Sequence, residues 1–224
     1  MDVTFVVASL SGEYWNMAVV LTTLPSLEFH FDFISPFGYF ASLRIDEIAA
    51  RHAREVEWQS MLVGISVLKV MGLKPIPETP LKGDYARRDA ERYCRRHGIK
   101  LAREFGAKPS NPLAAGRSFH WARQYSAERA KPLAQALLAA YWTQGRDIGD
   151  LETVLDIAAE SGIDRSALAD AHARGEASDL LKAAVDRSLG KGVFGSPFFI
   201  VDSEPFFGVE KMELMEEWLA TGGW

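Results

Sequence analysis

Two serine–proline pairs carry most of the chemistry that can be read from this chain. In Phe33-Ile34-Ser35-Pro36-Phe37 an apolar run stops at Ser35-Pro36 and passes into a helical pattern. Serine is a favoured helix N-cap and proline a favoured first helical residue, so the pair is enough to start a helix. The same hydroxyl, set among the unpaired N–H groups of a first turn, could also donate to a thiolate held there and lower its pKa. A serine hydroxyl is too weak an acid to be the expected nucleophile, and no histidine stands beside it in sequence as a base. Far downstream, Gly195-Ser196-Pro197-Phe198-Phe199 opens a strand with a proline. Proline is tolerated as a first strand residue. Next to a helix start, a cis bond at this position would also present the Ser196 backbone to an extended peptide ligand. Gly192 and Gly195 give that loop the freedom to bring main chain close to a ligand.

Other polar residues have two readings each. In Phe207-Gly208-Val209-Glu210-Lys211, Glu210 either complements the dipole of a closing helix or grips a ligand ammonium. Lys69, Tyr85 and Arg88 are either solvated surface groups or substrate contacts. His30, His52, His97, His120 and His172 have no metal-like spacing, and His120 beside Trp121 reads as structural. Cys94 is the single cysteine, so no internal disulfide and no metal cluster are expected. It reads as an inert thiol on a polar helix face, in a chain suited to a reducing cytosol. Phe119, Trp121, Tyr125, Tyr141 and Trp142 are expected to build a helical core, although some could line an aromatic pocket.

The elements that must position these residues follow from periodicity. Leu27 to Ile34 alternates apolar and polar residues as a half-buried strand does. Pro36 starts a helix expected to run to about Arg54, and Val56 to Val63 reads as a second strand, giving a β-α-β opening with a parallel pair. Gly64 to Gly72 reads as a short helix, and Pro75, Pro77 and Pro80 as a stiff loop. Helical patterns then cover 84–97, 112–127, 130–144, 150–161, 165–173 and 178–189. Asp150 and Asp164 are expected N-caps; Gly98, Gly145, Gly162 and Gly175 are expected stops. Strands resume at 197–201 and 204–207 around a turn at Asp202-Ser203, before a closing amphipathic helix over 210–220. A sheet assembled from both ends of the chain around a helical insert is an α/β, thioredoxin-like topology. It divides the chain into an N-terminal extension (1–26), a first thioredoxin-like part (27–63), an all-helical insertion (64–191) and a second thioredoxin-like part (192–224).

Composition excludes several classes. Hydrophobic content is 48% and charged content 25%, those of an ordinary globular chain. A net charge of −5 argues against a nucleic-acid surface. Val3 to Leu10 and Met17 to Leu24 are apolar but fall short of the roughly 18 residues of a membrane span. Asp2 and Glu13 replace the basic start of a signal peptide. No nucleic acid, membrane or metal partner is expected, and the extension is assigned no function.

Phe31-Asp32-Phe33-Ile34-Ser35-Pro36-Phe37-Gly38-Tyr39, Gly145-Arg146-Asp147-Ile148, Gly192-Val193-Phe194-Gly195-Ser196-Pro197-Phe198-Phe199 and Phe206-Phe207-Gly208 together resemble the 2-hydroxychromene-2-carboxylate isomerase family. That family belongs with kappa-class glutathione transferases in the DsbA-like thioredoxin group, and the similarity runs from about Leu27 to Leu219. DsbA relatives carry Cys-x-x-Cys where this chain has Ser35-Pro36-Phe37-Gly38, so disulfide chemistry is not expected. The resemblance implies glutathione as cofactor, Ser35 as the catalytic serine, Ser196 as the partner of the cysteinyl backbone, and Phe207, Gly208, Val209 and Glu210 as the turn holding the γ-glutamyl end. It implies a small aromatic-derived substrate and a homodimer; substrate contacts are expected at Lys69, Leu73, Tyr85 and Arg88, and the single cysteine suits a cytoplasmic location. Two positions depart from the family pattern: Glu210-Lys211 replaces Asp-Arg, and Leu73 stands after Gly72 where Asn is common. The activity implied is cis-trans isomerisation in aromatic catabolism with glutathione regenerated. The alternatives are a kappa-like transferase that releases a conjugate, and a non-catalytic thioredoxin-like module that holds a peptide.

Overall fold

A computed structural model of the chain describes residues 27–125 and 127–224; the extension 1–26 lies outside the described residues. Four strands form one mixed sheet in the order β2-β1-β3-β4. Strand β1 (Leu27–Phe31) pairs in parallel with β2 (Val56–Ser60) and antiparallel with β3 (Phe198–Val201), which pairs antiparallel with β4 (Glu204–Phe207). The parallel pair, the inserted helices and the closing hairpin are those expected from the sequence. In the hairpin, Asp202 and Ser203 both take positive φ (52° and 76°). That is the two-residue turn whose twist matches the flanking strands.

β1 departs from its expected half-burial, because both of its faces are covered. Phe29 and Phe31 are fully buried on one face against Trp58, with ring centroids 5.0 and 5.4 Å away. His30, on the other face, is also buried. Its Nδ1 meets Ser188 Oγ at 3.1 Å and its Nε2 meets the Glu28 carboxylate at 3.1 Å, which Lys191 clamps at 2.7 Å. Ser188 belongs to helix α8 (Glu176–Gly190), so one inserted helix covers the polar side of the strand. A buried histidine is tolerated here because both ring nitrogens have partners.

The expected helix from Pro36 to Arg54 is two helices, α1 (Pro36–Ser42) and α2 (Ile45–Arg51). The Ser42 hydroxyl donates back to the Tyr39 carbonyl at 2.6 Å, which competes with propagation, and Arg44 leaves helical geometry at φ −127°. After β2 the chain forms a π-helix, Gly64–Val70, and then a single 3₁₀ turn, Ile76–Glu78. Helices α3 (Lys82–His97), α4 (Leu113–Tyr125), α5 (Ala127–Thr143), α6 (Leu151–Glu160) and α7 (Arg165–Ala173) precede α8. α9 (Met212–Thr221) closes the fold. Asp150 and Asp164 cap α6 and α7 by accepting from Thr153 N and Ala167 N, as expected.

One continuous apolar cluster joins the sheet to the helices. It runs from Phe29, Phe31 and Phe199 through Phe119 to Leu133, Leu137 and Tyr141. Each fully buried side chain of this size contributes about 1.5–3 kcal/mol. Phe119, Tyr141 and Trp142 are buried as expected, whereas Tyr125 is 58% exposed and bonds through its hydroxyl to Glu176. Trp142 ties helix to strand directly: its indole N–H donates to the Phe33 carbonyl at 3.0 Å, two residues before Ser35.

Candidate active site

The C-terminal ends of β1 and β2, the start of α1 and the loop before β3 converge on Ser35. Ser35 has the extended backbone of an N-cap (φ −93°, ψ 116°), and its Oγ accepts from Gly38 N at 3.1 Å. The same hydroxyl donates to the Ser196 carbonyl at 3.1 Å. The Ser196–Pro197 bond is cis, as expected. Capping and cross-loop bonding are therefore both done by one oxygen, with its proton aimed at the loop.

Few donors remain at this helix start. Pro36 has no N–H, Gly38 N is spent on Ser35 Oγ, and Tyr39 N donates to the Ser35 carbonyl at 3.0 Å. That leaves Phe37 N among the first-turn donors. The anion-binding capacity expected of α1 thus reduces to one backbone N–H plus the Ser35 hydroxyl, once the latter is released from Ser196.

The Ser196 side chain has a separate role. Its Oγ accepts from Asp32 N at 2.9 Å. It also fills the space above Gly38, where a Cβ would come within 2.5 Å of it. The close approach of loop and helix thus requires glycine at position 38.

The turn after β4 docks on the same loop, with Gly208 N donating to the Pro197 carbonyl at 3.1 Å. Gly208 has φ +105°, and a Cβ there would lie 2.5 Å from Glu210 Oε1. The Glu210 carboxylate therefore folds over Gly208 rather than pointing away from the site. Val209 is buried. The Phe207 ring contacts Phe194, 4.6 Å between centroids, and covers Gly195, whose Cβ would lie 2.6 Å from the ring edge. The space left by the missing side chain of Gly195 is filled by the Phe207 ring.

Ser35, Ser196 and the Phe207–Glu210 turn are thus brought together by named contacts. Lys69, Leu73, Tyr85 and Arg88 come from other elements: the π-helix after β2, the segment that follows it, and α3. Lys69 lies in the π-helix after β2, and Leu73, 56% exposed, follows it with its N–H on the Val67 carbonyl at 2.9 Å. Tyr85 is exposed on α3 beneath the Arg92 guanidinium, 6.0 Å from its ring centroid. Arg88 is exposed on the same helix, turned away from its buried residues Ala86 and Ala90. Leu68, Val70, Met71, Ile76 and Leu81, in the same stretch of chain, are exposed as well.

Asp32 was not singled out by its sequence. It is fully buried, and burial raises its pKa to about 6, with hydrogen bonds from Val63 N and Ile34 N acting in the opposite direction. A lone acid in a run of phenylalanines, Phe31-Asp32-Phe33, was the signal available. Cys94 is half-buried and its pKa is raised chiefly by burial, consistent with an inert thiol. Among the described residues, no group of side chains could hold a metal ion and no helix is long and apolar enough to cross a membrane.

Residues 26–220 match the family model described as the DSBA-like thioredoxin domain. The chain is 27% identical over 204 residues to a 2-hydroxychromene-2-carboxylate isomerase of Sphingobium xenophagum, covering 87% of this chain and 97% of that protein. It is 24% identical over 192 residues to the protein of the same name from Pseudomonas putida, covering 85% and 92%. Among solved structures, it superposes on a 2-hydroxychromene-2-carboxylate isomerase with a TM-score of 0.72 at 22% identity, over 88% of this chain and 95% of the other.

Proposed function

Since the chain belongs to the DSBA-like thioredoxin family, and its relatives carry the name 2-hydroxychromene-2-carboxylate isomerase, we propose that it is a glutathione-dependent isomerase acting on substrates of that type. The observation that carries the reading is the 3.1 Å bond from the Ser35 hydroxyl to the carbonyl before Pro197. It sets one proton donor against one backbone acceptor at a site with no cysteine at position 35 or 38. In this reading the thiol is supplied by a bound ligand and not by the chain.

The residues suit glutathione. Ser196 offers a carbonyl to the N–H of a cysteinyl residue, and Glu210, folded over Gly208, offers a carboxylate to a γ-glutamyl ammonium. When a ligand N–H takes the Ser196 carbonyl, the Ser35 proton is released to donate to sulfur while its oxygen keeps the Gly38 N–H. Occupancy of the backbone acceptor and activation of the thiol are coupled through one hydroxyl. A hydrogen bond to a charged group contributes about 1.5–3 kcal/mol, more than the roughly 0.3–1 kcal/mol of an exposed helix terminus. Ser35 thus outweighs the dipole of a seven-residue helix.

Bound glutathione supplies a thiolate nucleophile that can add reversibly to a conjugated carbon, leaving a single bond free to rotate. The protein holds the thiol ionised at Ser35, aligns the peptide on Ser196 and contributes positioning and electrostatics. Lys69, Leu73, Tyr85 and Arg88 are proposed to face the substrate, on a rim with both basic and apolar character. A cytoplasmic homodimer is part of the same reading.

The test is product analysis of 2-hydroxychromene-2-carboxylate incubated with the protein, with and without glutathione. The expected product is trans-o-hydroxybenzylidenepyruvate, formed only when glutathione is present, with the glutathione recovered unchanged. A stable conjugate would make the protein a kappa-like transferase. Absence of glutathione binding would leave a thioredoxin-like binding module.

A further inference from the structure

Nothing in the reaction above uses the side chain of Asp32, yet no other residue near the site is so fully engaged. Oδ1 accepts the Ile34 N–H at 3.1 Å and Oδ2 accepts the Val63 N–H at 2.7 Å. The backbone of the same residue makes two more bonds: its N–H donates to Ser196 Oγ at 2.9 Å, and its carbonyl accepts the Ser35 N–H at 3.0 Å. One residue thus contacts the start of α1, the loop before β3 and the segment after β2.

These bonds divide by purpose. The backbone of Asp32 holds Ser35 and Ser196, the thiol side of the site. The side chain reaches across to Val63, the N-cap of the Gly64–Val70 π-helix that carries Lys69 and leads to Leu73. Burial without a cationic partner is costly for a carboxylate, as its pKa of about 6 reflects. A role confined to space-filling would be met at lower cost by an apolar residue. Two acceptor oxygens at a fixed separation, each taking a backbone N–H from a different segment, are what an apolar residue cannot supply.

Resting on the isomerase reading, we infer that Asp32 is a positioning residue: its carboxylate fixes the Gly64–Val70 segment against Ser35 and Ser196, so that substrate held on that segment meets the thiol. The neighbouring tie to β1 is the Met61 N–H on the Phe31 carbonyl at 2.7 Å, and beyond Met61 the Asp32–Val63 bond is what anchors the substrate side. The thiol side depends on it less, because the bonds to Ser35 and Ser196 come from the Asp32 main chain and the carboxylate reaches that side only through the Ile34 N–H.

The test uses two variants of the full chain. Asp32→Asn keeps the volume but turns an amide N–H₂ toward one of the two backbone donors. Val63→Pro deletes the donor while keeping an apolar side chain against Met61, Val193 and Phe198; the native φ of −59° suits proline, and the Asp32 charge stays in place. Steady-state kinetics at saturating glutathione should show the substrate KM raised about tenfold or more in both variants, with kcat within about threefold of wild type. Glutathione affinity and the bound-thiol titration should stay within about threefold. A common effect in variants that differ in charge distinguishes positioning from electrostatics, and if Asp32→Asn fails to fold, Val63→Pro carries the test. An unchanged KM in a folded variant overturns the inference, as does a loss of glutathione affinity in step with the thermal midpoint. Wild-type protein without glutathione-dependent turnover overturns the isomerase reading and this inference together. An active wild type with unaffected variants overturns this inference alone.

Discussion

The Ser196 hydroxyl occupies the place that a side chain at position 38 would need, 2.5 Å from where a Cβ on Gly38 would stand. The first turn of α1 and the cis-proline loop are locked together by the absence of that side chain. In a Cys-x-x-Cys arrangement this position would carry the second cysteine. Here the room for it is taken.

Gly38→Ala should therefore destabilise the fold by about 1–3 kcal/mol through overpacking, outweighing alanine's better helix propensity. Adding Ser196→Ala should restore most of the loss, a non-additivity that urea unfolding of the two single variants and the double variant measures directly. Simple addition of the two effects would show that helix and loop can move apart.

Ser35→Ala removes the acceptor for Gly38 N and the donor to the Ser196 carbonyl at once. Loss of the cap should cost about 1 kcal/mol of stability. Loss of the donor should raise the pKa of bound glutathione's thiol and slow turnover about a hundredfold or more. Thiolate absorbance titrated in the binary complex, together with kcat, checks both. A wild-type titration and rate would remove Ser35 from the mechanism.

Glu210→Gln keeps the fold of the turn but not its charge. Glutathione affinity should fall about threefold to fivefold, the worth of an exposed ammonium contact. An analogue lacking the γ-glutamyl amine should bind wild type and variant equally. Calorimetry with both ligands decides whether the carboxylate over Gly208 grips an ammonium or serves only the turn.

Asp32 and His120 give the stability a pH dependence with opposing parts. The folded-state pKa of Asp32 is raised from 3.8 to about 6, chiefly by burial, so its contribution is most favourable at low pH and is lost as pH rises through 6. The pKa of His120 is lowered from 6.5 to about 4, chiefly by burial, so its contribution is present above 6.5 and is lost as pH falls through 4. Between these limits the two nearly cancel. Asp32→Asn should uncover the histidine and lose about 2 kcal/mol more than wild type between pH 7 and pH 4.5. Urea midpoints at the two pH values measure it, and parallel curves would show that Asp32 ionises as freely as in the unfolded chain.

Local chemistry made much of this fold legible. The Ser35-Pro36 cap, the Asp150 and Asp164 caps and the Asp202-Ser203 turn each act within a few residues, and each stands where the sequence put it. What could not be read depends on partners distant in the chain. Asp32 acquires its meaning from the Val63 backbone, 31 residues on, and no pattern in Phe31-Asp32-Phe33 names that partner. Burial of His30 depends on Ser188, 158 residues away. The break between α1 and α2 escaped because a helical stripe continues through Leu43, while the hydroxyl of Ser42 turns back on the helix. The packing of the Phe207 ring on Gly195 likewise joins two segments whose contact no local pattern names.

The pairing of Phe29 with Phe199 places the middle of the sheet under the control of residues that leave the ribosome late. At about 5–20 residues per second, β1 and β2 wait on the order of ten seconds or more for the strand that completes the sheet. Contacts this remote in sequence also make closure slow once the chain is complete. The ligand site, which needs the Ser196 loop against Ser35, is therefore among the last features to exist.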